Sequence, residues 1–213
     1  MKKTYKFNKL SNAEAHFELT ESNELHVLIR TDNLYLEPVK EEDITPYHEK
    51  LFGNSTVMKS FVTGITQELS EVQNTVKIWV ERWKNNNPFS SLTVTRIDDD
   101  KFVGQVNLGP GIKDKIPGTA EISYTVNPEV AGCGFGSEAV RAVFDYAEKL
   151  SEMKFEVNGG GFREIIATAL PNNYKSIKIL ENCGMKFEKE INAHGSIRNF
   201  YRKNFTVASI ANK

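Results

Sequence analysis

The chain has few residues that could form disulfides or bind metal. Its 213 residues include two cysteines, Cys133 and Cys183, and four scattered histidines. Two cysteines cannot form a disulfide framework or the paired CxxC ligands of a zinc site, and no histidines have metal-ligand spacing. We therefore expect a protein without a metal and without a disulfide scaffold.

An excess of charge of either sign is also missing. The 27 Lys and Arg residues nearly balance 28 Asp and Glu residues, for a net charge of -1. Phosphate binding rewards a basic excess, so this balance argues against nucleic acid as the main partner.

Long apolar runs are absent as well. No run approaches the roughly 20 residues that cross a bilayer, which argues against a membrane partner. The basic residues 1–6 lack the apolar core of a signal peptide. We expect a cytoplasmic protein.

The composition is that of a globular protein, with 39% hydrophobic and 26% charged residues. Residues 1–30 show two alternating runs on either side of Glu21-Ser22-Asn23, which predicts a β-hairpin. We interpret residues 1–30 as an N-terminal extension, 31–205 as the main domain and 206–213 as a tail.

The rest of the pattern mixes helices and strands. Thr45-Pro46 predicts the N-cap and first residue of a helix that stops at Gly53. The spacing of apolar residues and breakers predicts further strands at 34–36, 91–96, 102–108, 120–126, 165–169 and from 186 onward, and helices at 69–85, 137–150 and 173–184. This order indicates an α+β fold, with consecutive strands in the middle and β-α-β-α-β toward the end.

The most informative segment joins the strand ending at Val126 to the helix that follows. Three glycines at alternate positions, Gly132, Gly134 and Gly136, leave backbone amides uncovered where the helix dipole is positive. Pro128 removes a donor at the strand end and allows that strand to splay from a neighbour. The segment predicts a binding site for a phosphate or pyrophosphate.

The loop alone leaves three interpretations open. A P-loop would need a lysine between Gly136 and Ser137, and none is there. A dinucleotide-binding fingerprint can be placed on Gly134, Gly136 and Ala139, but it normally follows the first strand of its domain. A glycine-rich turn without any ligand is also common.

Several other segments occur in a matching order around this loop. They are residues 31–38, 102–106, 121–124 (Glu-Ile-Ser-Tyr), 173–176 (Asn-Tyr-Lys-Ser) and 183–187 (Cys-Gly-Met-Lys-Phe). With the loop, they resemble the GNAT acetyltransferase superfamily over about residues 31–205, and most of all its branch of ribosomal-protein N-terminal acetyltransferases. The resemblance implies a central twisted, mostly antiparallel sheet flanked by helices and splayed at the cofactor site.

The same resemblance implies transfer of an acetyl group from acetyl-CoA to a primary amine by direct attack. The acceptor would be a protein α-amine or a small-molecule amine, and the enzyme a monomer or homodimer. We expect Glu121, on the polar face of its strand with Ser123, to act as base, with Glu188 as the alternative. We expect Ser176 to support the leaving thiolate or to bind near the phosphates. The implied coenzyme-binding residues are Val130, Gly132, Cys133, Gly134, Phe135, Gly136, Ser137 and Asn173. Val130 is implied as an oxyanion or acetyl contact.

Three positions depart from the superfamily pattern. Ala131 replaces the basic residue or glutamine that usually opens the loop, and Met185 stands where phenylalanine is usual. Leu180 occupies the position at which many relatives have a tyrosine general acid. The alternative is therefore a catalytically inactive coenzyme A binding module that works as a sensor or assembly subunit.

Overall fold

The computed structural model describes residues 2–19, 25–111 and 115–205. Its strands are β1 Lys2–Lys6, β2 Glu14–Leu19, β3 Leu25–Arg30, β4 Leu34–Pro38, β5 Ser91–Arg96, β6 Phe102–Gly109, β7 Thr119–Val126, β8 Glu156–Val157, β9 Gly160–Gly161, β10 Glu164–Ala169, β11 Lys186–Ala193 and β12 Ser196–Asn204. Its α-helices are α1 Ile44–Tyr47, α2 Ser55–Met58, α3 Leu69–Lys84, α4 Phe135–Glu152 and α5 Tyr174–Asn182.

Ten of these strands form one sheet in the order β1-β2-β3-β4-β5-β6-β7-β10-β12-β11. Strands β7 and β10 are parallel, and the other neighbours are antiparallel. The remaining two strands, β8 and β9, pair with each other. The α+β class and the mostly antiparallel sheet predicted from the sequence are confirmed.

Side-chain alternation gives the sheet two different faces. On one, which we call the α3 face, Thr93, Gln105 and Thr125 are cross-strand neighbours. The Tyr47 hydroxyl at the end of α1 lies 3.0 Å from the Thr93 Oγ1 on this face. Helices α1 and α3 cover it.

The opposite face, which we call the α4 face, is apolar. Leu92, Val106 and Tyr124 are cross-strand neighbours there. Helix α4 packs on this face with a buried stripe that includes Val140, Val143, Phe144, Ala147 and Leu150. Helix α5 also lies on the α4 face, so the central strands are covered on both sides.

The helical segment after β4 begins earlier than expected. Thr45 was predicted to cap it, but a 3₁₀ turn already spans Glu41–Asp43 and Thr45 lies inside α1. The Asp43 carboxylate accepts hydrogen bonds from the Lys40 N–H at 2.8 Å and from the Thr93 hydroxyl at 2.7 Å. Asp43 therefore stabilises the earlier start, and the Thr45 prediction is wrong. A π-helical turn, His48–Phe52, then ends at Gly53.

The N-terminal strands continue the main sheet. Strands β2 and β3 pair antiparallel, and β3 pairs with β4. Strand β1, which the lysine-rich sequence gave no reason to predict, pairs with β2 at the edge. Three strands separate β3 from β7, so these strands extend the sheet far from β10. The predicted turn at residues 21–23 and the tail at 206–213 lie outside the described residues.

Candidate functional site

The parallel strands β7 and β10 separate partway along their length. Thr119, Ala120 and Glu121 pair with Glu164, Ile165 and Ile166, and the ladder ends there. Beyond Glu121, β7 stays paired with β6 on its other side. The edge of β7 from Ile122 to Val126 therefore faces a gap, which we call the β7–β10 gap, without ladder partners in β10. This confirms the predicted splay.

A cavity of about 580 Å³ occupies this gap. Among the sequence-predicted site residues, those that line it are Glu121, Val130, Gly132, Gly134, Phe135, Gly136, Ser137, Asn173 and Ser176. Cys133 is exposed and is not part of the lining. Three separate stretches of the chain, residues 121, 130–137 and 173–176, therefore meet around one cavity, whose size suits a small-molecule ligand.

The glycine loop forms an open cradle at one end of the cavity. Gly132 and Gly134 have φ angles of 89° and 86°, and a Cβ at either position would meet no heavy atom within 4 Å. Helix α4 begins at Phe135, directly after Gly134. The first amides of a helix have no acceptor within the helix and carry the positive end of its dipole. This geometry fits an anion such as a pyrophosphate.

The third glycine serves helix packing. A Cβ on Gly136 would lie 2.9 Å from the Val126 Cγ2, so a larger residue would push α4 away from β7. Ala131 adds no cation to the cradle, but Lys175 and Lys178 of α5 line the same cavity. The sequence alone does not single out either lysine, because lysines in a short helix usually occupy ordinary solvated positions.

Glu121 lies where the gap opens, on the α3 face. It is the last β7 residue that pairs with β10, opposite Ile166. The alternative base, Glu188, forms an ion pair with Arg202 at 2.9 Å and does not line the cavity. The geometry therefore favours Glu121 as the carboxylate that can reach a ligand in the gap.

Ser176 approaches the gap from the α4 face. Its N–H donates to the Asn173 Oδ1 at 3.2 Å, so Asn173 caps α5 and orients its first turn. Its Oγ lies 2.8 Å from the Tyr124 hydroxyl, which also donates to the Ser176 carbonyl oxygen at 3.2 Å. Burial raises the pKa of Tyr124, so the phenol stays protonated. Alternation along β7 puts Tyr124 on the apolar face with Ile122 and Val126, so the sequence alone gives no sign of this contact.

Three further residues named or implied by the sequence pattern have defined surroundings. The Val130 N–H donates to the Asn127 carbonyl at 3.1 Å, so this amide already has an acceptor within the protein. The part of Val130 that can contact a ligand is therefore its buried side chain. Leu180 lines the cavity where a tyrosine would be needed for the usual general acid. Gly184, with φ of 81°, donates to the Glu181 carbonyl and ends α5.

Neither cysteine has the surroundings of an acyl-carrying nucleophile. Burial raises the pKa of the Cys183 thiol to about 11. Cys133 is exposed outside the cavity lining. Among residues 2–19, 25–111 and 115–205, no group of His, Cys, Asp and Glu side chains could hold a metal ion. In the same ranges, no helix has the length and apolar character needed to cross a membrane.

Comparisons with known proteins agree with this geometry. The model of the acetyltransferase (GNAT) domain family matches residues 33–186. The chain is 28% identical over 136 residues to the uncharacterized N-acetyltransferase YnaD of Bacillus subtilis. These aligned residues cover 64% of this chain and 69% of that protein.

Solved structures share the fold. A GNAT-family acetyltransferase from Bacillus anthracis superimposes with a TM-score of 0.64 at 23% identity, over 83% of this chain and 98% of the other. The ribosomal L7/L12 α-N-protein acetyltransferase RimL, solved in complex with coenzyme A, gives a TM-score of 0.62 at 14% identity, over 82% and 96% of the two chains.

Proposed function

The chain belongs to the GNAT acetyltransferase family, and we propose that it transfers the acetyl group of acetyl-CoA to a primary amine by direct attack. The observation that carries the proposal is the β7–β10 gap, where the glycine cradle, an unpaired strand edge, Glu121 and Ser176 all border one cavity. A thioester needs a route through the sheet to meet an amine, and the gap provides one.

The donor would bind with its pyrophosphate on the cradle formed by Gly132 and Gly134. Both positions leave the space in front of the loop clear. Lys175 and Lys178 would supply the cationic contacts that Ala131 does not. The pantetheine arm would then lie along the unpaired edge of β7, where free backbone groups can hydrogen-bond with its amides.

The opposite faces of the sheet would supply the two proton-transfer groups. Glu121, on the α3 face, would accept a proton from the amine, directly or through a water molecule. The amine nitrogen then bonds to the carbonyl carbon, and the carbon–sulfur bond breaks. Ser176, on the α4 face, would donate a hydrogen bond to the departing thiolate. The products are an N-acetyl amine and the thiolate of coenzyme A, which takes up through solvent the proton that Glu121 accepted from the amine.

The acceptor would enter from the side of α2, because residues that follow this helix line the α3-face end of the cavity. RimL, which has the same fold, is named as an α-N-protein acetyltransferase. This supports a protein α-amine as the first acceptor class to test, with small-molecule amines as the second.

A second candidate is a coenzyme A binding module without turnover. It is favoured by Ala131 and Leu180, since the loop cation and the tyrosine acid of many relatives are both missing. The two candidates share the cradle and differ only in whether Glu121 and Ser176 support chemistry.

Calorimetric titration with acetyl-CoA, coenzyme A and ATP tests the donor site. We expect binding of both coenzyme forms and none of ATP, because no P-loop lysine is present. Incubation with acetyl-CoA and a panel of peptide and small amines, read as coenzyme A release and product mass, then separates the candidates. Binding without any turnover would favour the inactive module, and absence of coenzyme binding would refute both.

A further inference from the structure

One buried arginine at the α3-face end of the cavity has a donor without a partner. Arg198 of β12 is 4% exposed and lines the cavity. Its Nη2 donates to the Val62 carbonyl, while its Nε is buried and, within the described residues, has no hydrogen-bond partner. Burying a guanidinium is costly unless its donors are satisfied, so this arrangement is unfavourable in the free protein.

Arg202, four residues along the same strand, shows what a structural arginine looks like here. It forms ion pairs with Glu164 at 2.7 Å and with Glu188 at 2.9 Å, although its Nε, like that of Arg198, makes no hydrogen bond within the described residues. Arg198, by contrast, donates to the neutral main chain of Val62, and the carboxylate that acts on it electrostatically is that of Glu121, which lines the same cavity. The two residues have the same side chain and strand, but Arg202 is held by two carboxylates that do not line the cavity, whereas Arg198 shares the cavity with Glu121.

The strand registers place Arg198 with Glu121. Glu121 is opposite Ile166, and Ile166 is opposite Arg202. Side chains two and four residues away on one strand share a face, so Arg198 lies on the α3 face together with Glu121. Glu121 also acts on Arg198 electrostatically. The glycine cradle, by contrast, precedes α4 on the other face of the sheet.

We infer that Arg198 recognises a carboxylate on the acceptor, so that the preferred substrate is an amine with a carboxylate a few atoms away. This rests on the proposed function, because it assigns the acceptor end of the same cavity. The amine would meet Glu121 while the carboxylate meets the guanidinium of Arg198, whose planar fork suits carboxylates. The carboxylate is either the side chain of a first Asp residue or the α-carboxylate of a free amino acid.

Product binding tests the inference without requiring turnover. The protein saturated with coenzyme A is titrated with N-acetyl-aspartic acid α-amide and N-acetyl-asparagine α-amide, which differ in a side-chain carboxylate. It is also titrated with N-acetylalanine and N-acetylalanine amide, which differ in the α-carboxylate. We expect about 10- to 100-fold tighter binding of the acid in one pair, as for a hydrogen-bonded charge. Equal binding within both pairs overturns the inference.

Variants show whether Arg198 is responsible. Arg198→Gln should reduce the preference to about twofold, while Arg202→Gln should leave it unchanged although it removes two ion pairs. Arg198→Lys keeps the charge and should retain part of the preference. If Arg198→Gln does not fold, Arg198→Lys provides the test, because it keeps the charge but lacks the planar fork and should bind the acid with a smaller preference. A preference that survives unchanged in either folded Arg198 variant contradicts the inference.

Turnover separates this inference from the proposed function. The corresponding free amines are assayed with acetyl-CoA, and the carboxylate-bearing member of one pair should have the higher kcat/KM. Equal kcat/KM for acid and amide would leave acetyl transfer intact and overturn the role of Arg198. Selective binding of the acid product without acetylation of any amine would support the carboxylate site and contradict the proposed function.

Discussion

The N-terminal flank of the sheet and the β7–β10 gap treat buried charge in opposite ways. At the N-terminal flank, which we define as residues 2–19 with β3, the buried carboxylate of Asp145 in α4 faces the chain before β2. It accepts hydrogen bonds from the N–H groups of Leu10 and Ser11 at 3.2 and 2.9 Å, and from the Ser11 hydroxyl at 2.7 Å. The buried charge at the flank is therefore compensated by hydrogen bonds from the protein itself.

In the β7–β10 gap, by contrast, a buried charged group and a strand edge lack hydrogen-bond partners. The buried Nε of Arg198 has no partner within the described residues, and the edge of β7 from Ile122 to Val126 lacks a ladder toward β10. At the flank, β2 and β3 pair along their whole length, from Glu14 with Arg30 to Leu19 with Leu25. Since a protein rarely buries a charged group without satisfying its hydrogen bonds, this contrast in charged groups indicates that the flank is built for stability and the gap for a ligand.

The largest expected effect in the gap is on catalysis by Glu121. Glu121→Gln keeps the shape and removes the base, so kcat should fall about 10²- to 10⁴-fold, or about 3–5 kcal/mol. Affinity for acetyl-CoA should change little. Steady-state kinetics and calorimetry measure the two quantities. Glu188→Gln is the control, because Glu188 lies outside the cavity lining, and an equal loss of kcat there would remove the special role of Glu121.

The next largest effect concerns the cradle. Gly134→Val places a side chain in the clear space before α4 and should weaken binding of acetyl-CoA by about 100-fold or more. Its positive φ adds backbone strain of about 1–2 kcal/mol. Gly159→Val is the matched control, since Gly159 has φ of 75° and equally open surroundings but lies in the β8–β9 turn. If both variants bind acetyl-CoA alike, the cradle is not the phosphate site.

The flank should respond in stability and not in binding. Asp145→Ala removes the acceptor of three donors and should lower the free energy of unfolding by about 2–3 kcal/mol, read from denaturant titration. Acetyl-CoA affinity of the folded protein should stay the same. Glu148→Ala breaks only the exposed ion pair with Lys9 and should cost less than about 1 kcal/mol. A large loss of coenzyme affinity in Asp145→Ala would break the distinction between the regions.

The elements of the fold were largely predictable because they depend on local pattern. Alternation marked β5, β6 and β7, and helical spacing marked α3 and α4, with ends within a few residues of the structure. Strand β1 was missed because its sequence, Lys-Lys-Thr-Tyr-Lys, carries one large apolar residue and is stabilised by pairing with β2. The start of the first helical segment was missed because Asp43 acts through Thr93 of a distant strand.

The candidate site divides in the same way. The glycine cradle is contiguous in sequence, so its residues could be proposed together. Arg198 could not be proposed from the sequence, because it is distant from Glu121 along the chain. The two residues come near each other only through the strand order β7-β10-β12. Tyr124 was also missed, because a tyrosine on an apolar strand face is usually a core residue and its hydroxyl partner comes from α5.

The smallest expected effect concerns that tyrosine. Tyr124 has one hydroxyl proton and can donate it either to the Ser176 carbonyl or to the Ser176 Oγ. If it donates to the Oγ, the proton of Ser176 is free for the departing thiolate, and Tyr124→Phe should lower kcat about 2- to 10-fold with acetyl-CoA affinity unchanged. Its raised pKa argues against Tyr124 as the final proton donor, since a thiolate is the weaker base.

Tyr146→Phe is the matched control for this variant. Tyr146 is also fully buried in the core, but its hydroxyl has no hydrogen-bond partner within the described residues. Loss of that hydroxyl should leave kcat unchanged and should not lower stability. A higher kcat in Tyr124→Phe would mean that the phenol holds the Ser176 proton away from the thiolate. The gap would then contain a hydrogen bond that stabilises the resting enzyme at the expense of catalysis. In that case some contacts in the gap serve stability, as those of the flank do, and others serve the ligand.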